Sequence, residues 1–150
     1  MKIAIGSDHG GYNLKEIIKN YLAQRGIEFE DMGTYSTESC DYTDYAVKTA
    51  KAVVSGEYER GILICGTGIG ISIAANKVKG IRAALCGDTF SARMSREHND
   101  SNILCMGERV IGAGLAVDIV DEWLKGTFAG GRHAGRVQKI INFEKYDIIG

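Results

Sequence analysis

Gly61-Ile62-Leu63-Ile64-Cys65-Gly66-Thr67-Gly68-Ile69-Gly70-Ile71-Ser72-Ile73-Ala74-Ala75-Asn76-Lys77 is the stretch on which the reading of this chain turns. Ile62-Leu63-Ile64 is short and wholly apolar, which predicts a parallel strand covered on both faces. Glycines at 66, 68 and 70 let the backbone turn sharply, adopt positive φ and approach a ligand without Cβ atoms in the way. Ile71, Ala74, Ala75 and Val78 then recur at helical spacing, so the turn feeds a helix whose N-terminal dipole points at Cys65, where the strand ends. A thiol so placed has a reason to ionise. The plainer reading is a buried core cysteine followed by a packing turn. Three glycines in five residues count against it.

Outward from this unit the same rhythm repeats. Residues 2–5 predict a first strand, and Leu14, Ile17, Ile18, Tyr21 and Leu22 mark the apolar stripe of a helix that Gly26 ends. Residues 27–31 read as a second strand and the polar stretch 33–44 as a connection. Ala46, Val47, Ala50, Val53 and Val54 line a second helix, ending at Gly56. Beyond the glycine turn, Gly80 closes a helix, 81–85 make a fourth strand, and Asp88 caps a helix running through Phe90 and Met94 toward His98. A fifth strand over 102–106 precedes a helix marked by Leu115, Ile119, Trp123 and Leu124 and stopped by Gly126. After Gly130-Gly131 a last helix carries Val137, Ile140 and Ile141.

Strands alternating with helices imply right-handed crossovers. The expected fold is α/β: a doubly wound, Rossmann-like three-layer α/β/α sandwich around a mostly parallel five-stranded sheet, in one domain over 1–150. Ligands of such sheets bind beyond the carboxyl ends of the strands. The loops that matter then hold Asp8-His9, Cys65-Gly66, Asp88 and Gly107-Glu108-Arg109.

At 150 residues the chain suits a single core. Its net charge of −1, with acids and bases interspersed, argues against a non-specific nucleic-acid or membrane surface. Cys40, Cys65, Cys86 and Cys105 form no Cys-x-x-Cys pair, which disfavours a zinc knuckle or thioredoxin-type motif and leaves free thiols of the cytosol as the simplest account. Met1-Lys2-Ile3-Ala4-Ile5 is too short an apolar run for a signal peptide, and no later run approaches membrane length. A soluble cytoplasmic protein is expected.

Gly6-Ser7-Asp8-His9-Gly10-Gly11 places a carboxylate and an imidazole at a strand end. A nicotinamide site is disfavoured there, because the glycines do not follow G-x-G-x-x-G and Asp8 would repel a pyrophosphate. Asp8 could simply cap a helix and His9 lie on the surface. Arg132 and Arg136 stand at i and i+4 on one helix face with His133 beside them, an arrangement that suits a phosphate dianion but also a solvated basic face; Arg109 could add a third positive group. His98 falls at a helix end, where the dipole favours its protonated form. Cys65 with His98 could suggest a thiol protease or a metal site, but no third-ligand spacing or oxyanion pattern supports either. Together these groups describe a site for a small, phosphorylated, hydroxyl-rich molecule and a proton transfer next to a carbonyl.

Several ordered motifs here resemble the ribose-5-phosphate isomerase B group, which also includes isomerases for allose 6-phosphate and galactose 6-phosphate. They are Gly6-Ser7-Asp8-His9-Gly10-Gly11, Cys65-Gly66-Thr67-Gly68-Ile69-Gly70 with Ser72-Ile73-Ala74-Ala75-Asn76-Lys77, Gly80-Ile81-Arg82-Ala83-Ala84, and Ser95-Arg96-Glu97-His98-Asn99. The resemblance runs nearly end to end. It implies an aldose–ketose isomerase of the pentose phosphate pathway, without cofactor or metal, interconverting ribose 5-phosphate and ribulose 5-phosphate through a cis-enediolate. By resemblance Cys65 is the base between C1 and C2, His98 the donor for ring opening with Thr67 nearby, and Asp8 handles hydroxyl protons. The N–H groups of Gly66, Thr67, Gly68, Ile69 and Gly70 would hold the enediolate oxygen. His9, Arg132 and Arg136 would hold the phosphate with help from Arg109, and Asn99 and Tyr42 would touch the sugar. It also implies a homodimer or homotetramer with sites at the subunit interface, the His98-Asn99 end and the arginine end coming from different chains. A hexose 6-phosphate substrate is the near alternative, and a non-catalytic phosphosugar-binding module the remote one.

Overall fold

A computed structural model describes residues 1–146; the last four residues of the expected 1–150 domain lie outside the described residues. The elements are β1 (Lys2–Ser7), α1 (Tyr12–Gln24), β2 (Glu28–Asp31), α2 (Tyr42–Val54), β3 (Arg60–Cys65), α3 (Ile69–Ala75), β4 (Ala83–Leu85), α4 (Thr89–Glu97), β5 (Ile103–Gly107), α5 (Ala113–Lys125) and α6 (Arg132–Phe143). A 3-10 turn over His9–Gly11 separates β1 from α1. All four strand pairings are parallel, in the order β2-β1-β3-β5-β4. The expected doubly wound α/β fold is therefore present. From β1 the chain builds outward to β2, then crosses to β3 and builds the other way, so the order reverses between β1 and β3. The loops leaving those two strands flank the crevice that such a reversal opens.

The sheet is apolar on both faces, and strand alternation divides it cleanly. Ile3, Ile5, Ile62, Ile64, Leu104 and Met106 lie with Leu14, Ile18, Leu22, Ile119 and Trp123 beneath α1 and α5. Ala4, Leu63, Cys65, Ile103 and Cys105 lie with Ala46, Ala50, Val53, Ile71 and Ala75 beneath α2 and α3. Registers such as Ile5 opposite Ile62 and Leu63 opposite Cys105 keep each set on its face.

Three local expectations are corrected. Ile17 is 42% exposed, whereas Lys15 is fully buried. The helix turns this way because the Lys15 ammonium donates to Asp31 Oδ1 at 2.6 Å and to the Thr34 carbonyl, which offsets part of its loss of water. The fourth strand is shorter than 81–85, since the Arg82 and Ala83 N–H groups donate to the side chains of Asn102 and Asn76, both at 2.8 Å. The second helix begins within the supposed connection, which places Tyr42 on its first turn. Asp88 caps α4 as expected, accepting the Ser91 N–H at 2.6 Å. Among the described residues no helix is long and apolar enough to cross a membrane.

Candidate active site

Three loops meet at the carboxyl edge of the sheet. After β1, Asp8 is buried and its Oδ1 accepts the N–H groups of Gly10 at 2.9 Å and Gly11 at 3.1 Å, which fixes the turn into α1. Its own N–H donates to Ile64 O on β3 at 3.2 Å, and Ser7 is clamped on both backbone groups to Gly33 and Thr34, each at 2.7 Å. His9 Nδ1 accepts the Cys40 N–H at 3.2 Å, leaving Nε2 to carry the ring proton. A Cβ on Gly10 would stand 3.1 Å from Gly66 N, so the first loop packs directly on the second.

After β3, the Cys65 side chain is 5% exposed. The Gly68 N–H donates to its Sγ at 3.1 Å. Gly68 has φ of +79°, and a Cβ there would come within 2.8 Å of the Met106 backbone, so only glycine fits this corner. The Ile69 N–H donates to Thr67 Oγ1 at 3.1 Å. Because α3 is only seven residues long, the direct donor to sulfur counts for more than the dipole that the sequence suggested. The Tyr42 ring covers Gly70 so closely that a Cβ would meet its Cζ at 2.7 Å.

After β5, the Glu108 and Arg109 N–H groups donate to Cys65 O at 2.9 Å and Gly66 O at 3.0 Å. Arg109 lays its guanidinium along Gly66, with Nη1 3.1 Å from the place of a Cβ. Glu108 Oε1 accepts the Leu14 N–H at 2.6 Å, tying α1 into the same knot. Behind this edge two thiols are held protonated: burial pushes Cys86 up to about 11 and Cys105 well above its ordinary range. A cavity of about 320 Å³ opens beside the turn, lined by Thr67, Ile69, Leu85, Cys86, Val110 and Ile111 among others. Ile69, Leu85 and Val110 on its rim are exposed.

The remaining candidates gather elsewhere. α4 runs back from Asp88 at the carboxyl edge, so its C-cap His98 lies where β5 begins. Asn99 follows, exposed, with its carbonyl accepting from Arg82 Nε at 3.2 Å. The Ala129 N–H donates to Glu97 O at 2.9 Å, which brings the start of α6 to the end of α4. There the His98 and His133 rings stack, 4.1 Å between centroids and 10° from parallel, with Arg132 and Arg136 exposed on the same helix. Burial, then the neighbouring His98, Arg132 and Arg136, hold His133 below the ordinary imidazole range. The sequence set His133 beside the two arginines but gave it no role, because the partner ring belongs to another helix.

Thus Asp8, His9, Tyr42, Cys65, Gly66, Thr67, Gly68, Ile69, Gly70 and Arg109 share one end of the sheet, while His98, Asn99, Arg132 and Arg136 share the other. β5 alone, five residues long, separates the two ends by roughly 16 Å. The His98–His133 stack holds His98-Asn99 beside the arginine-bearing helix α6 within one chain.

The family model described as Ribose/Galactose Isomerase matches residues 3–140. The ribose-5-phosphate isomerase B of Escherichia coli is 54% identical, over 96% of this chain and 97% of its own. The structure of the Clostridium thermocellum ribose-5-phosphate isomerase B superposes with a TM-score of 0.96 at 66% identity, covering 97% of this chain and 98% of that one. A D-erythrulose-4-phosphate isomerase of Pectobacterium atrosepticum is 46% identical, over 96% of this chain and 95% of its own. A family match over residues 3–140, with relatives covered over nearly their whole length, makes this chain a member of the Ribose/Galactose Isomerase family and an isomerase.

Proposed function

We propose that the protein interconverts ribose 5-phosphate and ribulose 5-phosphate through a cis-enediolate, with Cys65 as the base. The observation that carries this reading is the Gly68 N–H aimed at the Cys65 sulfur, inside a turn packed between the Asp8 and Arg109 loops. A hydrogen bond to sulfur serves the charged form, and the thiolate is the proton acceptor. It takes the proton from C2 of the open aldose, leaving an enediolate, and returns it to C1 of the ketose. N–H groups of the turn that are not engaged within it stabilise the enediolate oxygen as charge develops. Asp8, with Oδ1 occupied by the Gly10 and Gly11 amides, has its second oxygen for the sugar hydroxyls. His98 protonates the ring oxygen as the furanose opens, with Thr67 nearby; Tyr42 and Asn99 touch the sugar. His9, Arg132 and Arg136 hold the phosphate and Arg109 assists.

These roles need two copies of the chain. Cys65 and His98 lie at opposite ends of one sheet, so the carboxyl edge of one copy faces the His98-Asn99-Arg132-Arg136 end of another in a homodimer or a homotetramer. The exposed apolar rim of Ile69, Leu85 and Val110 suits that contact. Free thiols at all four cysteines suit a cytoplasmic setting.

The test is ketose formation from ribose 5-phosphate by chelator-treated protein, run beside allose 6-phosphate, galactose 6-phosphate and Cys65→Ala. Turnover of the pentose, lost in the variant, supports the reading. Turnover of a hexose phosphate alone moves the substrate and keeps the mechanism, a contest that one carbon decides with only about 1–3 kcal/mol. Binding without turnover leaves a phosphosugar-binding module.

A further inference from the structure

We infer that His133 is a positioning residue for the acid of the reaction: a neutral imidazole plate that fixes the His98 ring and assigns the single proton of the stacked pair to His98. The inference rests on the reading above, in which His98 is that acid.

The geometry comes first. Two near-parallel rings 4.1 Å apart cannot both be imidazolium without direct repulsion, so the pair holds at most one proton. The helix ends decide which ring takes it. His98 is the C-cap of α4, a nine-residue helix whose terminal carbonyls favour a cation. His133 is the second residue of α6, a twelve-residue helix whose first-turn amides disfavour one. The fixed charges act in the same sense: Arg132 and Arg136 flank His133 on its own helix. On the other side Glu97 precedes His98, whereas the Asp100 carboxylate that follows is already offset by Arg82 at 3.3 Å and Arg96 at 3.0 Å, so Glu97 and the helix end supply the negative side. His133 is therefore the ring left neutral when the pair takes a proton, and its π face lies where it can face a protonated His98 as an aromatic face lies under a cation. The Ala129–Glu97 backbone bond holds the two helix ends in this register.

The test uses the intact protein. The chain has three histidines, so the ring ¹⁵N signals of His9, His98 and His133 can each be followed through a pH titration. His98 should titrate above His133. In His133→Ala the His98 midpoint should fall by roughly half a unit to one unit, the scale of a cation over an aromatic face. His133→Phe, which keeps the plate and removes the second titration, should restore it. An acid must be protonated to act, so the basic limb of the rate on ribose 5-phosphate should move to lower pH in His133→Ala, with kcat reduced and KM little changed. His133→Phe should recover most of that loss. The inference is overturned if His133 takes the proton first, or if His133→Ala leaves the His98 midpoint where it was. Should the titrations come out as expected while the wild-type protein fails to turn over ribose 5-phosphate, the substrate reading falls and the ordering of the pair stands.

Discussion

The amide of Gly68 donates to the sulfur of Cys65 across 3.1 Å, from a corner whose φ of +79° only glycine holds without strain. The donor is thus fixed by backbone, and this hydrogen bond to the sulfur does not depend on a second side chain.

Cys65→Ser should therefore keep phosphate binding but lose kcat/KM by about a thousandfold or more, ~4 kcal/mol of transition-state stabilisation. Steady-state kinetics with ribose 5-phosphate would show it. A fully active serine variant would remove Cys65 from its assigned role.

Gly68→Ala tests the donor instead of the acceptor. Left-handed backbone costs a non-glycine residue about 1–2 kcal/mol, and the new Cβ would also press on the Met106 backbone at 2.8 Å. A lower urea midpoint and a lower kcat are expected together. An unchanged rate would mean that the exact placement of this amide does not matter to the sulfur.

Alkylation separates the thiols. Burial raises Cys86 and Cys105 far enough that neither reacts at neutral pH, so iodoacetamide should modify Cys65 before either, and ribose 5-phosphate should protect it. Mass spectrometry of digested protein reads the order, and prior labelling of Cys86 would contradict it.

A site composed from two copies predicts complementation. Cys65→Ala and His98→Asn should each be nearly inactive alone. Mixed under conditions that exchange subunits, they should recover about a quarter of the wild-type activity, because random pairing of a symmetric dimer leaves that share of sites intact. Failure to recover, with exchange verified by mass, would put the whole site in one chain.

Lys15 and Asp31 set an acid limit on stability. Burial alone would raise the Asp31 carboxyl, but hydrogen bonds from Lys15, Lys19 and the Gly33 amide outweigh it and hold the group below the usual carboxylate range. Its contribution is then present above the unfolded carboxylate range near pH ~4 and is lost as pH falls through the lower folded value. Urea midpoints between neutral and acid pH should show that slope, and Asp31→Asn should flatten it. Lys15→Met removes one of the two ammonium partners of Asp31 and leaves Lys19 on its other oxygen, so it should cost less than the ~3–5 kcal/mol of a fully stranded buried charge at neutral pH.

The strands were legible because parallel strands covered on both faces carry apolar runs such as Ile62-Leu63-Ile64, which little else explains. Their order was not, since the apolar strands β1, β3 and β5 each accept many neighbours and the crossovers choose among them. The Lys15 error has a similar origin: periodicity favours Ile17 for the core, and nothing local says that Asp31 waits at the end of β2 and the Thr34 carbonyl on the loop after it. In the site, glycine spacing identified Cys65 and its turn. The grouping of His98 with Arg132 and Arg136 depended on the direction of α4 and on the Ala129–Glu97 bond, both of which are tertiary facts.

Carrying Cys65 and His98 at opposite ends of one sheet has a kinetic corollary. On the two-copy reading the protein enters its own rate law twice. At dilutions where partners separate, turnover should fall with the square of protein concentration, though the chain itself remains folded.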